Sequence, residues 1–444
     1  MQGYIEPGVA SGFRDYLPED AIPRQRMFDT IREVFERFGF SPLVTPAMER
    51  IEVLTGNDPD FNMQIFKIST GGDQTNPLAL RFDHTVPLAR VVAQYQTEID
   101  KPFKRYAVGP VWRGEKAQAG RYREFAQFDA DTVGTADVIA DAEVIALMYE
   151  TMTALGIKNF LIRVNNRKVL NGLPEYVGFD PEKIKQVLRI LDKLDKASWD
   201  GVAEELEREL GFEGAQLDAL KKFVDLKTDS NTTTVKAVKE LMSISEIALE
   251  GARELEEIIS SVTSLGVPDS AWSVDLSVAR GLDYYTGPVF ETILTDLPEI
   301  GSVFSGGRYD GLVARFGSTS VPATGASVGV DRLFAALEKL GLVKRKRTVA
   351  EVIIFDFDPE GREIVQSVAT DLRRGGISTE IYFGNDNTLK GQLAYAVRKE
   401  FPIAIIIGSN ERERGEVTVK NLVEREQVTV PRANVVETVK EMLR

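Results

Sequence analysis

The stretch Phe125-Ala126-Gln127-Phe128-Asp129-Ala130-Asp131 alternates with a period of two, which predicts a strand. One face carries Phe125, Gln127, Asp129 and Asp131, and the other Ala126, Phe128 and Ala130. The second face is small and apolar, as packing on helices requires. The first sets a ring beside an amide and two carboxylates, costly to bury unless it lines a wet cavity with polar cargo. The strand is half of a hairpin. Tyr106 to Trp112 leads through Arg113 into a loop from Gly114 to Gly120, and the chain returns through Arg121, Tyr122 and Arg123. That geometry gathers Arg113, Arg121 and Arg123, whose planar guanidiniums clamp phosphate oxygens in pairs, near a phenylalanine face on which a base can stack. A nucleotide held between Phe125 and the arginines is expected.

On the amino-terminal side, Ile22, Met27, Ile31, Val34, Phe35 and Phe38 recur at helical spacing from Ala21 to Phe38, with Pro23 suited to the first turn and Gly39 to the stop. Pro42 and Pro46 confine Phe40 to Glu49 to an edge or interface-facing strand, since neither can donate to a ladder. Helix and strand together form a candidate dimer element. Phe66 to Ile68 and the run beginning at Leu78 read as a hairpin, followed by a helix opening near Thr85 with Pro87 in its first turn. Asp83 and Thr85 then stand at a strand-to-helix junction, where side chains either face a ligand or cap the helix.

On the carboxyl-terminal side, Arg280-Gly281-Leu282-Asp283-Tyr284-Tyr285 leads through the turn Thr286-Gly287-Pro288 into a strand from Val289 to Leu294. Neighbours in a strand point to opposite faces, so Tyr284 and Tyr285 are not both expected in a plain core. A glycine-rich strand and turn follow through Gly306-Gly307-Arg308-Tyr309. The helix Gly329 to Leu337 carries Arg332 in its first turn, a good anion site. Between these regions, residues 181–265 show apolar residues at helical spacing amid dense lysine and glutamate, as for a helical insertion. Residues 339–348, with Lys344-Arg345-Lys346-Arg347, read as a linker, and residues 349–444 alternate strands and helices as a separate α/β domain.

At 444 residues the chain has room for roughly two or three domains, and 43% hydrophobic with 27% charged residues is ordinary for a soluble protein. No apolar run reaches the roughly 20 residues of a membrane span, and no secretory leader is visible in the first fifteen residues, so the cytoplasm is the expected compartment. The absence of cysteine excludes disulfides and cysteine nucleophiles, and the single histidine, His84, excludes a multi-histidine metal site. A net charge of −14 argues against a nucleic-acid-coated surface, though not against local basic patches.

Nearly the full length of the chain resembles the histidyl-tRNA synthetases, class II aminoacyl-tRNA synthetases. Arg280 to Glu291 and Gly306 to Leu312 resemble the two histidine-specific signatures; Ala21 to Glu49, Tyr106 to Asp131 and Gly325 to Leu337 resemble class II motifs 1, 2 and 3. The resemblance implies an α+β fold, an antiparallel sheet flanked by helices in residues 1–338, with a carboxyl-terminal anticodon-binding domain. It implies that Arg113, Glu115, Arg121, Phe125 and Arg332 bind ATP, and that Asp83, Thr85 and Gln127 hold the α-amino group of L-histidine. Asp131, Tyr284, Tyr285 and Tyr309 would surround the imidazole, and Arg280 would reach both carboxylate and α-phosphate. Gln118 and Arg123 would approach the acceptor end of tRNA(His). Mg²⁺ is implied beside ATP with no protein ligand assigned, and a homodimer through motif 1. Asp83 and Asp131 stand where some members carry glutamate, and His84 is read as a packing residue. The alternative is a non-catalytic, histidine-binding regulatory subunit of ATP phosphoribosyltransferase, which the carboxyl-terminal domain and the arginine signature disfavour.

Overall fold

The computed structural model describes residues 5–56, 65–69, 77–114, 122–195, 197–279, 284–317, 320–357 and 359–444. They fall into two compact units: 1–14 with 27–342, and 15–26 with 343–444. The second boundary lies inside the expected linker, whereas 15–26, which the sequence reading grouped with the first unit, clusters with the second. No helix among the described residues is long and apolar enough to cross a membrane.

The first unit is built on an eight-stranded sheet whose strands lie in the order Ser41–Pro42, Phe103–Trp112, Glu124–Val133, Ala323–Gly329, Phe304–Arg308, Pro288–Leu294, Phe160–Asn166 and Trp272–Val274. The six inner strands pair antiparallel, and the two short outer ones pair parallel. Pro42 sits on an edge, where its missing N–H breaks no ladder. Lys67–Ile68 pairs antiparallel with Leu78–Leu80 in a separate three-stranded sheet, and the helix Thr85–Gln94 follows.

The apolar side of the hairpin packs as its pattern requires. Phe128 is fully buried against Phe35 at 5.0 Å and Tyr106 at 5.6 Å between ring centroids, and Phe35 lies on the helix Pro18–Arg37. That helix begins a turn earlier than its apolar spacing indicated, so Pro18 opens it and Pro23 falls inside. Residues 181–265 are helical in successive segments from Pro181 to Ser264, and each α-helix among them buries an apolar set and carries charged outer positions. The second unit carries a five-stranded sheet in the order Thr379–Ile381, Val352–Ile354, Ile403–Ile406, Glu416–Asn421, Gln427–Pro431; the first three strands are parallel, the last two antiparallel, with apolar clusters on both faces.

On the large sheet, Gly325 stands opposite Asp131, and a Cβ there would lie 2.2 Å from Asp131 Oδ1 and 2.4 Å from the Ala130 carbonyl oxygen. Only glycine lets that carboxylate lie across the neighbouring strand. Gly325→Ala is therefore expected to cost about 2 kcal/mol by overpacking, read as a lowered urea midpoint. Gly311→Ala, where an added Cβ meets nothing within 4 Å, should leave the midpoint in place.

Candidate active site

The hairpin register fixes the site. Arg105 pairs with Asp131, Ala107 with Asp129, Gly109 with Gln127 and Val111 with Phe125. Asp129 and Asp131 are 2% and 3% exposed, so the polar face is buried. Arg105 is fully buried, and its Nη2 lies 2.7 Å from Asp131 Oδ2. Tyr309 donates its hydroxyl to Asp131 Oδ1. One carboxylate is thus held from both sides, by a guanidinium and a phenol.

Asp83 stands at the strand-to-helix junction, and the capping use expected of it is present. Its Oδ1 accepts from the Val86 N–H at 3.1 Å, capping the helix, while Oδ2 is buried with no donor among the described residues. Thr85 hydrogen-bonds the Tyr284 hydroxyl. Tyr284 and Tyr285 meet edge to face at 5.1 Å, and Tyr284 meets Tyr309 at 5.8 Å. The strand begins at Pro288, so Tyr284 and Tyr285 precede it and strand alternation does not apply to them; as expected they are not both plain core, since Thr85 bonds the Tyr284 hydroxyl. Burial, with the nearby carboxylates, raises both phenols, so they remain neutral donors at physiological pH.

Gln127 donates Nε2 to Ser327 Oγ at 2.8 Å, and Ser327 donates to Asp129 Oδ1. Gln127 Oε1 and Asp129 Oδ2 are buried with no donor among the described residues. Burial raises Asp129, while Arg105, Ser327, Arg113 and Arg81 pull it back. Burial likewise raises Asp83 and Asp131 to about 6, opposed at Asp83 by the Val86 N–H and at Asp131 first by Arg105. His84 is pressed down to about 3 by burial and by Arg81 and Arg105, so it is neutral; its Nε2 lies 3.2 Å from the Gly109 carbonyl oxygen, the packing role expected of it.

The Arg113 guanidinium covers the Phe125 ring at 5.1 Å and donates Nε to the Phe82 carbonyl at 3.3 Å. Arg123 is joined to Arg113 through the backbone, and its aliphatic stem lies against Gly12. Arg332 sits in the first turn of the helix Val330–Lys339, which starts beside Gly329, the strand partner of Gln127; its Nη1 donates to the Ser302 carbonyl at 2.6 Å. Asp331 fixes that helix to the hairpin by accepting from the Ala126 N–H at 2.8 Å. Glu115, Gln118, Arg121 and Arg280 lie outside the described residues. Sequence reasoning assigned no function to Arg105, Asp129 or Ser327. The signal for Arg105 was the hairpin itself, which sets it opposite Asp131; Ser327 becomes legible only once its strand is known to pair with Glu124–Val133.

Residues 12–333 match the family model described as Histidyl-tRNA synthetase. The chain belongs to the histidyl-tRNA synthetase family. Residues 350–442 match the model of an Anticodon binding domain. A Histidine--tRNA ligase of Rhodopirellula baltica is 42% identical over 427 residues, covering 96% of each chain, and one of Wolinella succinogenes is 41% identical over 423 residues, covering 95% of each. The crystal structure of a histidyl-tRNA synthetase from Nostoc sp. PCC 7120 matches with a TM-score of 0.88 and 34% identity, covering 99% of this chain and 100% of that one. The fold is that of a class II synthetase, and the regulatory-subunit alternative is not favoured.

Asp83 illustrates what a buried carboxyl costs this synthetase's ligand-free fold. A buried carboxyl raised to about 6 costs the ligand-free fold when ionised, above that pH, and the cost fades as pH falls through 6 and the group protonates. Asp83→Asn keeps the capping oxygen and removes the charge. Calorimetry of the ligand-free protein should show a Tm equal to or above wild type at pH 7.5, with the gap closing toward pH 5, alongside a raised KM for histidine.

Proposed function

We propose that this protein ligates L-histidine to tRNA(His) through a histidyl-adenylate, using ATP. The observation that carries the reading is that two buried acceptors, Asp83 Oδ2 and Gln127 Oε1, have no donor among the described residues. An α-ammonium group brings three N–H donors to such a place, and burial makes each bond to it strong. Asp131, braced by Arg105 and Tyr309, accepts from the imidazole, with Tyr284 and Tyr285 around the ring. A pocket that hydrogen-bonds the imidazole rejects amino acids that would leave its polar groups unpaired.

ATP lies over Phe125 with Arg113 on the α-phosphate, and Arg121 and Arg332 on the distal phosphates; Glu115 holds the adenine edge. In the first step a carboxylate oxygen of histidine attacks the α-phosphorus and pyrophosphate departs. In the second, a terminal ribose hydroxyl of tRNA attacks the activated carbonyl and AMP departs. Neither step requires a protein nucleophile. The chain aligns two anions and offsets charge building at the α-phosphate, through Arg113 and Arg280. Mg²⁺ would screen the phosphates, and we assign it no protein side chain. Support for ATP comes from the family and from the stacked Arg113 and Phe125.

Residues 1–338 serve as catalytic unit with the helical insertion at 181–265, 339–348 as linker and 349–444 as anticodon-binding domain, with Gln118 and Arg123 toward the acceptor end. The last 96 residues hold 13 basic against 16 acidic side chains, so tRNA contact there is made by patches. The working form is a cytoplasmic homodimer. Support for the dimer lies in the edge segment: Val44 is 91% exposed beside a cavity of about 580 Å³ lined by Leu43, Pro46, Tyr95 and Phe103.

Histidine-dependent exchange of pyrophosphate into ATP tests the activity. Exchange driven by histidine and by no other amino acid is expected; histidine binding without exchange would sink the ligase reading. Arg113→Ala and Arg280→Ala should each lower kcat for exchange by roughly 100-fold or more, the scale of removing one donor to a developing charge. Light scattering should give a dimer mass for the wild type and a monomer mass for Val44→Glu.

A further inference from the structure

The hydrogen-bond chain that ends at Asp129 has a direction, and that direction decides which end of the Gln127 amide meets the pocket. An ionised carboxylate accepts only, so the Ser327 hydroxyl must donate its one proton to Asp129 Oδ1. Having spent that proton, Ser327 Oγ can only accept from Gln127. The amide therefore turns Nε2 toward Ser327, at 2.8 Å, and leaves Oε1 buried without a donor among the described residues. Amide ends are told apart by their partners, and here each partner's chemistry allows one answer. Burial raises Asp129, opposed by Arg105, Ser327, Arg113 and Arg81, and the sequence of donors is that of its ionised form.

We propose that Asp129 and Ser327 are positioning residues that set the polarity of Gln127, so that its carbonyl oxygen, and not its NH₂, faces the α-ammonium group of the substrate. The inference rests on the reading of Gln127 as a ligand of that group. Asp129 and Ser327 lie on adjacent strands in direct register, so the relay is held by two sheet positions and needs no loop to close it. With neutral asparagine at 129, Nδ2 can donate to Ser327. The hydroxyl can then donate to Gln127, and the amide reverses to set two N–H donors against a cation.

The test uses pyrophosphate exchange with the full-length enzyme, reading KM for histidine, KM for ATP, and the inhibition constant of 3-(imidazol-4-yl)propionate, the histidine analogue without the amino group. Asp129→Asn should raise KM for histidine roughly 10- to 100-fold, the scale of a charge-assisted hydrogen bond. Ser327→Ala, which keeps the Asp129 charge, should raise it roughly 3- to 10-fold. Both should leave the other two constants within about twofold. Gln127→Glu presents an acceptor whichever way it turns, so adding it to either variant should restore KM for histidine. Equal losses for histidine and the deaminated analogue would make these residues merely structural and overturn the proposal. A silent Ser327→Ala beside a damaging, unrescued Asp129→Asn would overturn it too, assigning Asp129 a direct contact through Oδ2. Gln127→Ala separates the two levels: an unchanged KM for histidine would remove Gln127 from the ammonium site, whereas a raised KM with silent Asp129 and Ser327 variants would defeat the relay alone.

Discussion

The register of the hairpin between Phe103–Trp112 and Glu124–Val133 is the constraint on which the rest depends. It sets Arg105 opposite Asp131 and Gly109 opposite Gln127, and it turns Phe128 into the core. A slip of one residue would send the carboxylates onto the packed helices and the phenylalanine into the pocket. The register is therefore enforced from both faces at once. On one side stand the rings of Phe35 and Tyr106, and on the other a carboxylate that is tolerable in the interior only beside its guanidinium.

Such a wall is a cost to the fold. Asp83, Asp129 and Asp131 are each raised by burial, and the arginines among them offset that only in part. The sheet makes room for that wall: Gly325 admits the Asp131 carboxylate and Gly307 admits Tyr285, whose Cδ1 would lie 3.0 Å from an added Cβ. Small residues behind the pocket and large polar ones within it are two halves of one arrangement. The glycines look anonymous in the sequence because their function is to give room to other residues.

Much of this was legible from local pattern. Period-two alternation placed Phe125, Gln127 and Asp131 on one wall, and the junction before Thr85 marked Asp83, because both readings use only neighbours along the chain. For Tyr284 and Tyr285 the conclusion stands but strand periodicity does not carry it, because both precede the strand that begins at Pro288. Arg105 and Ser327 escaped because their meaning is nonlocal. Each is an ordinary strand residue until a partner some 26 or 198 positions away is paired with it. Assignment of Arg113 to a phosphate likewise used the arginine's chemistry, whereas its resting place over Phe125 is a fact of three dimensions.

On the proposed function, selectivity in this pocket comes from deficits. Among the described residues, Asp83 Oδ2 and Gln127 Oε1 are left without donors, and Asp131 has spare lone pairs beyond those used by Arg105 and Tyr309. A ligand that supplies N–H groups at these points relieves buried acceptors; an isosteric hydrocarbon would leave them desolvated, at about 1–3 kcal/mol each. Discrimination of that kind multiplies with each unmet acceptor, so three of them provide more than shape alone can. The same arithmetic explains why the amide of Gln127 must not rotate. A reversed amide turns a deficit into a surplus of donors against a cation. In the proposed relay, a serine and an aspartate that act only through Gln127 thereby govern which substrate is held.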